Sequence, residues 1–175
     1  MRIRMFVMTA AALMLATAAL AQNVSYDFDK RADFSQFRTY AWVRGTNLAD
    51  PLNHNRIVNA VDAQLALKGF TRVEPSANPD VLVAYHASFD TNLQINGFGS
   101  GGGGYRFGGM RSASATAEEI LIGTLVLDMV EAKSKNIVWR GRATKEIDPG
   151  ANAEKREKNI NKAAEKLFKN YPPKP

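Results

Sequence analysis

A glycine-rich segment is the first place in this sequence where backbone groups could bind a ligand. Residues 97–109 read GFGSGGGGYRFGG, with eight glycines in thirteen positions. Gly99, Gly101 and Gly104 match G-x-G-x-x-G, a pattern that binds dinucleotides when a strand precedes it and a helix opens on it. Here strand-like sequence follows, and none of the glycines precedes the lysine of a Walker loop. We therefore predict no cofactor and interpret the segment as a flexible connection between neighbouring strands.

Apolar side chains interrupt this glycine-rich segment. Phe98, Tyr105, Phe107 and Met110 would lie on an exposed loop, where apolar groups can mark an interaction surface. A contact role for Phe98, Tyr105 and Phe107 is the alternative to a simple connection. Ordering a loop costs about 1–2 kcal/mol for each residue fixed, so we expect binding through it to be weak.

Three polar residues alternate along one predicted strand and are of the types found in catalytic triads, namely His86, Ser88 and Asp90. Residues two apart on a strand lie about 7 Å from each other, too far for a base to reach a hydroxyl at about 3 Å. We assign no catalytic residue and interpret these side chains as a solvated strand end. The chain has two histidines, His54 and His86, and the sequence places no carboxylates that would complete a metal site with them.

One acidic and two basic residues form a further candidate site. Asp128 lies in an otherwise apolar run, and Arg140 and Arg142 lie on the next predicted strand. If the strand register sets them opposite each other, they form a cross-strand ion pair or small network. The alternative is an anion-binding pocket made by the same three residues. The register cannot be determined from the sequence, so both interpretations stay open.

The last predicted helix is basic. Lys162, Lys166 and Lys169 lie away from its apolar stripe, and solvation of an exposed face explains them. The functional alternative is attraction to anionic lipid or lipopolysaccharide, which salt would weaken. Residues 149–175 carry seven Lys or Arg against three Glu, whereas residues 22–148 are neutral overall. The basic character therefore belongs to one terminal segment.

Hydrophobic periodicity predicts the elements that must position these residues. The predicted elements are strands at 24–28 and 39–43, a helix from Pro51 towards Gly69 with Asp50 as its N-cap, strands at 70–73, 80–90, 120–130 and 137–143, and a final helix with an apolar stripe from Ile160 to Tyr171 that ends at Pro172. Trp42 and Trp139 are expected in the core. This order predicts an α+β fold, with a mostly antiparallel β-sheet and two helices packed on one face.

The N-terminal residues have the features of a secretory signal peptide. Arg2 and Arg4 precede an apolar run that ends with small residues at positions 19 and 21, the pattern that signal peptidase cleaves. The run is shorter than the ~20 residues of a membrane-spanning helix, and a retained membrane anchor is the alternative. We predict a signal peptide at 1–21, cleaved after Ala21, and no transmembrane anchor after cleavage.

The rest of the chain, residues 22–175, is predicted to be a single domain in the periplasm or the secreted fraction. The sequence contains no cysteine, which excludes disulfides, thiol catalysis and cysteine zinc sites. Gln22 occupies the position where a lipoprotein would carry its lipid-acceptor cysteine. Export argues against nucleic acid as a partner, so we expect an envelope protein or an anionic lipid or lipopolysaccharide surface instead.

Four strings carry a family resemblance, in their order and spacing: FRTYAW, NPDVLVAYH, GTLVLDMVEAKSKNIVWRG and EKREKNINKAAEKLFKNYPP. Together they resemble the bacterial domain-of-unknown-function family 4136 over nearly all of residues 24–173. The resemblance implies a periplasmic α+β domain, often lipid-anchored, with a glycine-rich insertion between two strands. It implies no established activity and no catalytic residues. The missing lipid-acceptor cysteine departs from the anchored members of that family.

These observations predict a non-enzymatic binding or interaction module of the bacterial cell envelope. Its contact surfaces would be the glycine-rich loop and the basic helix. The alternative is a small-ligand carrier or a hydrolase with a pocket between the sheet and the helices, using Asp128, Arg140 or His86.

Overall fold

The computed structural model describes residues 22–46, 50–97 and 115–174. Its elements are β1 (Asn23–Phe28), β2 (Thr39–Trp42), α1 (Pro51–Leu67), β3 (Thr71–Arg72), β4 (Val81–Gly97), β5 (Ala115–Glu131), β6 (Ile137–Glu146) and α2 (Ala153–Phe168). Short 3-10 turns lie at Phe34–Gln36 and Pro75–Ala77. Each predicted strand and helix is present, although several bounds differ.

The strands of the described residues form one sheet in the order β1-β6-β5-β4-β2-β3. β1, β4, β5 and β6 pair antiparallel where they adjoin one another, whereas β2 pairs in parallel with both β3 and β4. The α+β class is confirmed, but the prediction of a mostly antiparallel sheet is wrong because the sheet is mixed. The chain returns to the starting end of the sheet twice, through α1 between β2 and β3 and through residues 73–80 between β3 and β4, so these three strands run in the same direction.

Helix α1 begins as predicted. The carboxylate of Asp50 accepts hydrogen bonds from the backbone N–H groups of Leu52 and Asn53, and Pro51 occupies the first turn. The helix ends before Gly69, whose φ of +85° is readily adopted only by a residue without a side chain. The buried residues of α1 are Ile57, Ala60, Val61 and Leu65.

Helix α2 ends earlier than its apolar stripe suggested. Asn152 caps its first turn, and the helix stops at Phe168 rather than continuing to Tyr171. Tyr171 still belongs to the core and is 5% exposed, because the chain after the helix folds back against Phe168 and Trp139. Neither helix of the described residues is long and apolar enough to cross a membrane.

The core fills one face of the sheet. Val83, Met129 and Trp139 lie opposite one another on β4, β5 and β6, and all three are buried. The Trp139 ring stacks on Phe168 of α2, with 5.4 Å between ring centroids. His54 of α1 contacts Tyr85, which lies on the same face of the sheet. The largest buried side chains are Trp139, Tyr40, Tyr85, Phe168, Leu65, Leu127, Met129, Leu167, Val61, Val81 and Val83.

The hairpin made by β4 and β5 is longer than predicted. The two strands pair antiparallel along their whole length and end with Gly97 opposite Ala115. β6 accompanies β5 only as far as Ile122. Beyond that residue the hairpin continues as a two-stranded ribbon, which the sequence-based strand ends at positions 90 and 120 missed. Residues 98–114, which carry most of the glycine-rich segment, lie outside the described residues.

Candidate functional site

A pocket of about 510 Å³ lies against the core face of the sheet and is lined by residues of α1, α2, β4, β5 and β6. Ala87, Leu125 and Ala143 lie in one row across the three strands and form its floor. Ile57 of α1 and Ile160 of α2 line its sides. The pocket exists because the small side chains of Ala87 and Ala143 leave space between the sheet and the helices unfilled.

The next row along the sheet forms one side of the pocket opening. It contains Phe89, Gly123 and Lys145, which are opposite one another on β4, β5 and β6. A Cβ atom on Gly123 would lie 2.8 Å from the side chain of Ile147, so the glycine lets Ile147 fold over the strand. Phe89 is 52% exposed and also lines the pocket. This side of the opening is therefore apolar at Phe89 and Ile147 and charged at Lys145.

Lys145 provides a cation within the pocket lining. Its Nζ donates a hydrogen bond to Oδ1 of Asn159 on α2, at 2.7 Å. Burial lowers the pKa of Lys145, and the positive charges of Lys162, Lys155 and Lys166 lower it further. Lys145 therefore lies in a region of positive potential.

Arg156 is the second basic residue of the lining. Its Nε donates to the carbonyl oxygen of Ala151 at 2.9 Å, and its Nη2 donates to that of Pro149 at 3.2 Å. Within residues 22–46, 50–97 and 115–174, no carboxylate forms an ion pair with Arg156 or with Lys145. Both cations therefore keep unused N–H donors at the pocket.

The charged group predicted from the sequence lies on the opposite face of the sheet. Asp128 is directly across from Arg140 in the register of β5 and β6, and it is 4% exposed. Arg140 donates from Nε and Nη2 to the two carboxylate oxygens, at 2.5 and 2.7 Å. This hydrogen bonding raises the pKa of Arg140. Arg142 lies across from Val126 instead, so the register brings only one of the two arginines to Asp128.

The structure also brings His86 to Asp128, which the sequence analysis did not anticipate. His86 Nε2 lies 3.6 Å from Asp128 Oδ2. Its Nδ1 accepts a hydrogen bond from the backbone N–H of Thr46 at 3.1 Å and lies 2.9 Å from the Thr46 hydroxyl. Because Nδ1 is an acceptor, the neutral ring carries its proton on Nε2, towards Asp128. Ser88 and Asp90 lie further along β4 and are exposed.

The remaining sequence-predicted residues fall into two groups. Phe98, Tyr105 and Phe107 lie outside the described residues. Lys162, Lys166 and Lys169 are exposed and lie at the C-terminal part of α2 or directly after it.

His54, the other histidine considered for a metal site, contacts Tyr85 instead, with 2.6 Å between His54 Nδ1 and Tyr85 Oη. In the part of the chain that the structure describes, no three His, Cys, Asp or Glu side chains converge as a metal site requires.

Sequence reasoning missed the basic residues of the pocket. The signal was present on β6, where Trp139, Gly141 and Ala143 alternate on the core side and Lys145 continues the alternation. The predicted strand stopped at Ala143, so this lysine was left in a loop. A cation on the core side of a strand is a marked exception to burial rules and could have indicated a site.

The comparisons with known proteins support the family resemblance. A family model described as "Domain of unknown function (DUF4136)" matches residues 24–173. This chain belongs to the DUF4136 family. A comparison of the DUF4136 chain with curated proteins finds no match.

Solved structures share the fold of this DUF4136 chain. A PDZ domain protein from Parabacteroides distasonis is similar with a TM-score of 0.58 and 15% identity, over 88% of this chain and 37% of that protein. The DUF4136 chain thus spans little more than a third of that protein's length. The PelC dodecamer from Paraburkholderia phytofirmans is similar with a TM-score of 0.52 and 7% identity, over 85% of this chain and 95% of PelC. At these identities the similarity shows the fold alone.

Proposed function

We propose that this DUF4136 chain is a non-enzymatic binding module of the bacterial cell envelope, with both helices covering one face of its sheet. Its ligand occupies the pocket between that face and the helices. The observation that carries the proposal is the pocket itself. Its volume of about 510 Å³ falls in the range of roughly 300–1,000 Å³ that is typical of small-molecule sites.

The composition of the pocket supports ligand binding. Its floor and sides are apolar, through Ala87, Leu125, Ala143, Ile57 and Ile160, and a few polar groups adjoin them. Small-molecule sites commonly combine such a lining with a small number of polar contacts that set orientation. A second depression, of about 560 Å³, is lined by α1 and α2 residues that are mostly polar. The apolar pocket is therefore the better candidate.

The hydrolase alternative is less well supported by the same geometry. His86 and Asp128 lie on the sheet face opposite the pocket, so they do not line it. Both carboxylate oxygens of Asp128 are bound by Arg140, and His86 Nδ1 already accepts the backbone N–H of Thr46. His86 and Asp128 are better explained as structural residues whose contacts join their strands to β6 and to the segment that follows β2.

The signal-like N-terminal sequence supports the envelope location. The proposal includes a signal peptide at 1–21, cleaved after Ala21, and a single domain at 22–175 in the periplasm or secreted fraction. The first strand begins at Asn23, so the folded sheet starts next to the proposed cleavage bond. Contacts with an envelope protein through the glycine-rich loop would be additional to the pocket.

Binding of the neutral fluorophore N-phenylnaphthylamine tests the proposed function. We expect its fluorescence to rise with the wild-type protein and dodecanol to displace it. Ala87→Trp places a large side chain on the pocket floor, so we expect it to weaken binding at least about tenfold. Ala66→Trp on the exposed side of α1 is the matched control and should leave the affinity unchanged.

Circular dichroism must show that both variants keep the wild-type fold. Absence of fluorophore and dodecanol binding to the wild-type protein would contradict the proposal. Equal binding by the folded Ala87→Trp variant would contradict the assignment to this pocket.

A further inference from the structure

The charges of the pocket identify the chemical class of its ligand. We propose that the pocket takes a single-chain amphiphile whose hydrocarbon chain lies on the apolar floor and whose anionic head, a carboxylate or a phosphate ester, binds Lys145 and Arg156. This inference rests on the proposed ligand-binding function of the same pocket.

Both cations have hydrogen-bonding capacity left for an anion. The ammonium group of Lys145 has three N–H donors, and the contact with Asn159 uses one of them. Arg156 directs Nε and Nη2 to backbone carbonyls, which leaves its Nη1 donors for a further acceptor. Removing a cation from water without a counter-ion is unfavourable, and an anionic head would offset that cost.

The acidic side chains of the pocket lining are hydrogen-bonded elsewhere, and only Asp148 lies near enough to Arg156 for their charges to interact. Asp50 accepts hydrogen bonds from the backbone N–H of Leu52 and from the side chain of Asn53 at the start of α1. Asp148 is bound to Nζ of Lys155 at 2.8 Å. These local contacts leave Lys145 without an acidic partner among the described residues. A neutral ligand would leave that charge unpaired as well.

Neighbouring lysines favour an anion over a cation or a neutral head. Lys162, Lys155 and Lys166 lie close enough to Lys145 to oppose its protonation. A negative head placed beside Lys145 would be attracted by this whole group. The same field would repel a positively charged ligand, so it favours an anionic head group.

The part of the pocket around Phe89 matches a hydrocarbon chain. Phe89 is 52% exposed, and Leu121 and Ile147 are partly exposed next to it. An alkyl chain that leaves the floor over Gly123 would cover these three side chains. Burying apolar surface stabilises a complex by about 25 cal/mol for each Å² removed from water. The pocket thus offers an apolar contact and a cationic contact to one elongated molecule.

Calorimetric titration with matched amphiphiles tests this inference. Dodecanoate, dodecyl phosphate and dodecanol have chains of the same length and differ in the charge of the head. We expect the wild-type protein to bind dodecanoate or dodecyl phosphate about tenfold more tightly than dodecanol. The tighter of the two anions identifies the head as a carboxylate or a phosphate ester. Acetate should not displace dodecanoate, because it has no chain.

Lys145→Met tests the charge alone. It removes the ammonium group and keeps an unbranched apolar chain of similar length. We expect this variant to lose most of the preference for the anionic heads, measured as the ratio of its dodecanoate affinity to its dodecanol affinity. Lys158→Met, at an exposed position of α2, is the control and should keep the preference. In the wild type, added salt should weaken dodecanoate binding and leave dodecanol binding unchanged.

Equal wild-type affinities for dodecanol and both anions would overturn the inference and leave the proposed function standing. So would parallel loss of dodecanol and dodecanoate binding in Lys145→Met, or displacement of dodecanoate by acetate. Absence of binding by all the chains would contradict the proposed function itself. If Lys145→Met fails to fold, the salt dependence in the wild-type protein decides the question.

Discussion

Asp128 and Arg140 form a two-pronged ion pair directly across β5 and β6, with donor–acceptor distances of 2.5 and 2.7 Å. Asp128 is almost completely buried, whereas the Arg140 side chain is 51% exposed. Arg140 therefore provides hydrogen bonds to the buried carboxylate of Asp128 from the solvent-exposed side of the sheet. The energetic importance of the pair comes mainly from Asp128, because Arg140 can be solvated without its partner.

We expect Asp128→Asn to lower the free energy of unfolding by about 1–3 kcal/mol. The amide cannot accept both Arg140 donors, because its NH₂ group would face the guanidinium, which has no acceptor. Urea denaturation measures the change. Arg142→Gln, across from Val126 on the same strand as Arg140, is the control and should change stability by less than about 0.5 kcal/mol. Equal effects of the two substitutions would argue against a specific Asp128–Arg140 contribution.

Gly141 allows α2 to pack closely on β6. A Cβ atom at this position would overlap the Trp139 ring and lie 2.8 Å from Cδ2 of Leu167. We therefore expect Gly141→Ala to destabilise the protein by about 1–3 kcal/mol through overpacking. Thermal and urea unfolding test this, with Gly150→Ala on an exposed turn as the comparison. If Gly141→Ala is as stable as Gly150→Ala, the helix does not pack this closely on the strand.

Asp80 joins the starts of β2 and β4. Its Oδ2 accepts the backbone N–H groups of Arg38 and Thr39, both at 2.9 Å. The hydrogen bond from Arg38 contributes most to lowering the pKa of Asp80, against the opposing effect of burial. Since the folded-state pKa is the lower one, the stabilisation is complete above the unfolded-state pKa of about 3.9. It is lost as the pH falls through the folded-state pKa.

Asp80→Asn should therefore cost about 1 kcal/mol of unfolding free energy at pH 7. The difference from the wild type should shrink as the pH falls below about 3.9. Urea denaturation across a pH series gives both quantities, and Glu74→Gln, at an exposed position, serves as the control. A difference that stays constant with pH would show that the charge of Asp80 is not responsible.

The exposed lysines at the end of α2 predict a salt-dependent attraction to anionic surfaces. We expect the wild-type protein to co-sediment with vesicles containing phosphatidylglycerol at low ionic strength. Replacing Lys162, Lys166 and Lys169 with Glu should abolish this and keep the fold, because all three side chains are exposed, with a loss of about 1 kcal/mol from the acidic groups at the end of the helix. Neutral phosphatidylcholine vesicles are the control. Co-sedimentation that survives the charge reversal would show that these lysines are a solvated face only.

The structure confirms the parts of the fold that depend on short-range patterns. Helix α1 follows from the Asp50 cap, the proline at position 51 and the repeat of Ile57, Val61 and Leu65. Trp139 was expected in the core because it lies in an apolar alternating run. Such signals need only neighbouring residues, since the period of a helix or strand is set by local backbone geometry.

Strand pairing was harder to predict from the sequence than the helices. The order strand, helix, strand between residues 39 and 83 already favoured a parallel connection, yet the later hairpin-like sequence led to the prediction of a mostly antiparallel sheet. The lengths of β4 and β5 were underestimated because polar residues after Ser88 end the apolar pattern. The backbone there continues to pair regardless of side-chain polarity.

By itself, the sequence determined the α+β class, the start of α1, the family and the resemblance of its first residues to a signal peptide. Only the tertiary structure decided that β2 runs parallel to β4, that Arg140 rather than Arg142 meets Asp128, and that Lys145 and Arg156 share a pocket. The reason is physical. Register and inter-element packing depend on contacts between residues far apart in the chain, and a shift of one residue would exchange the two faces of a strand.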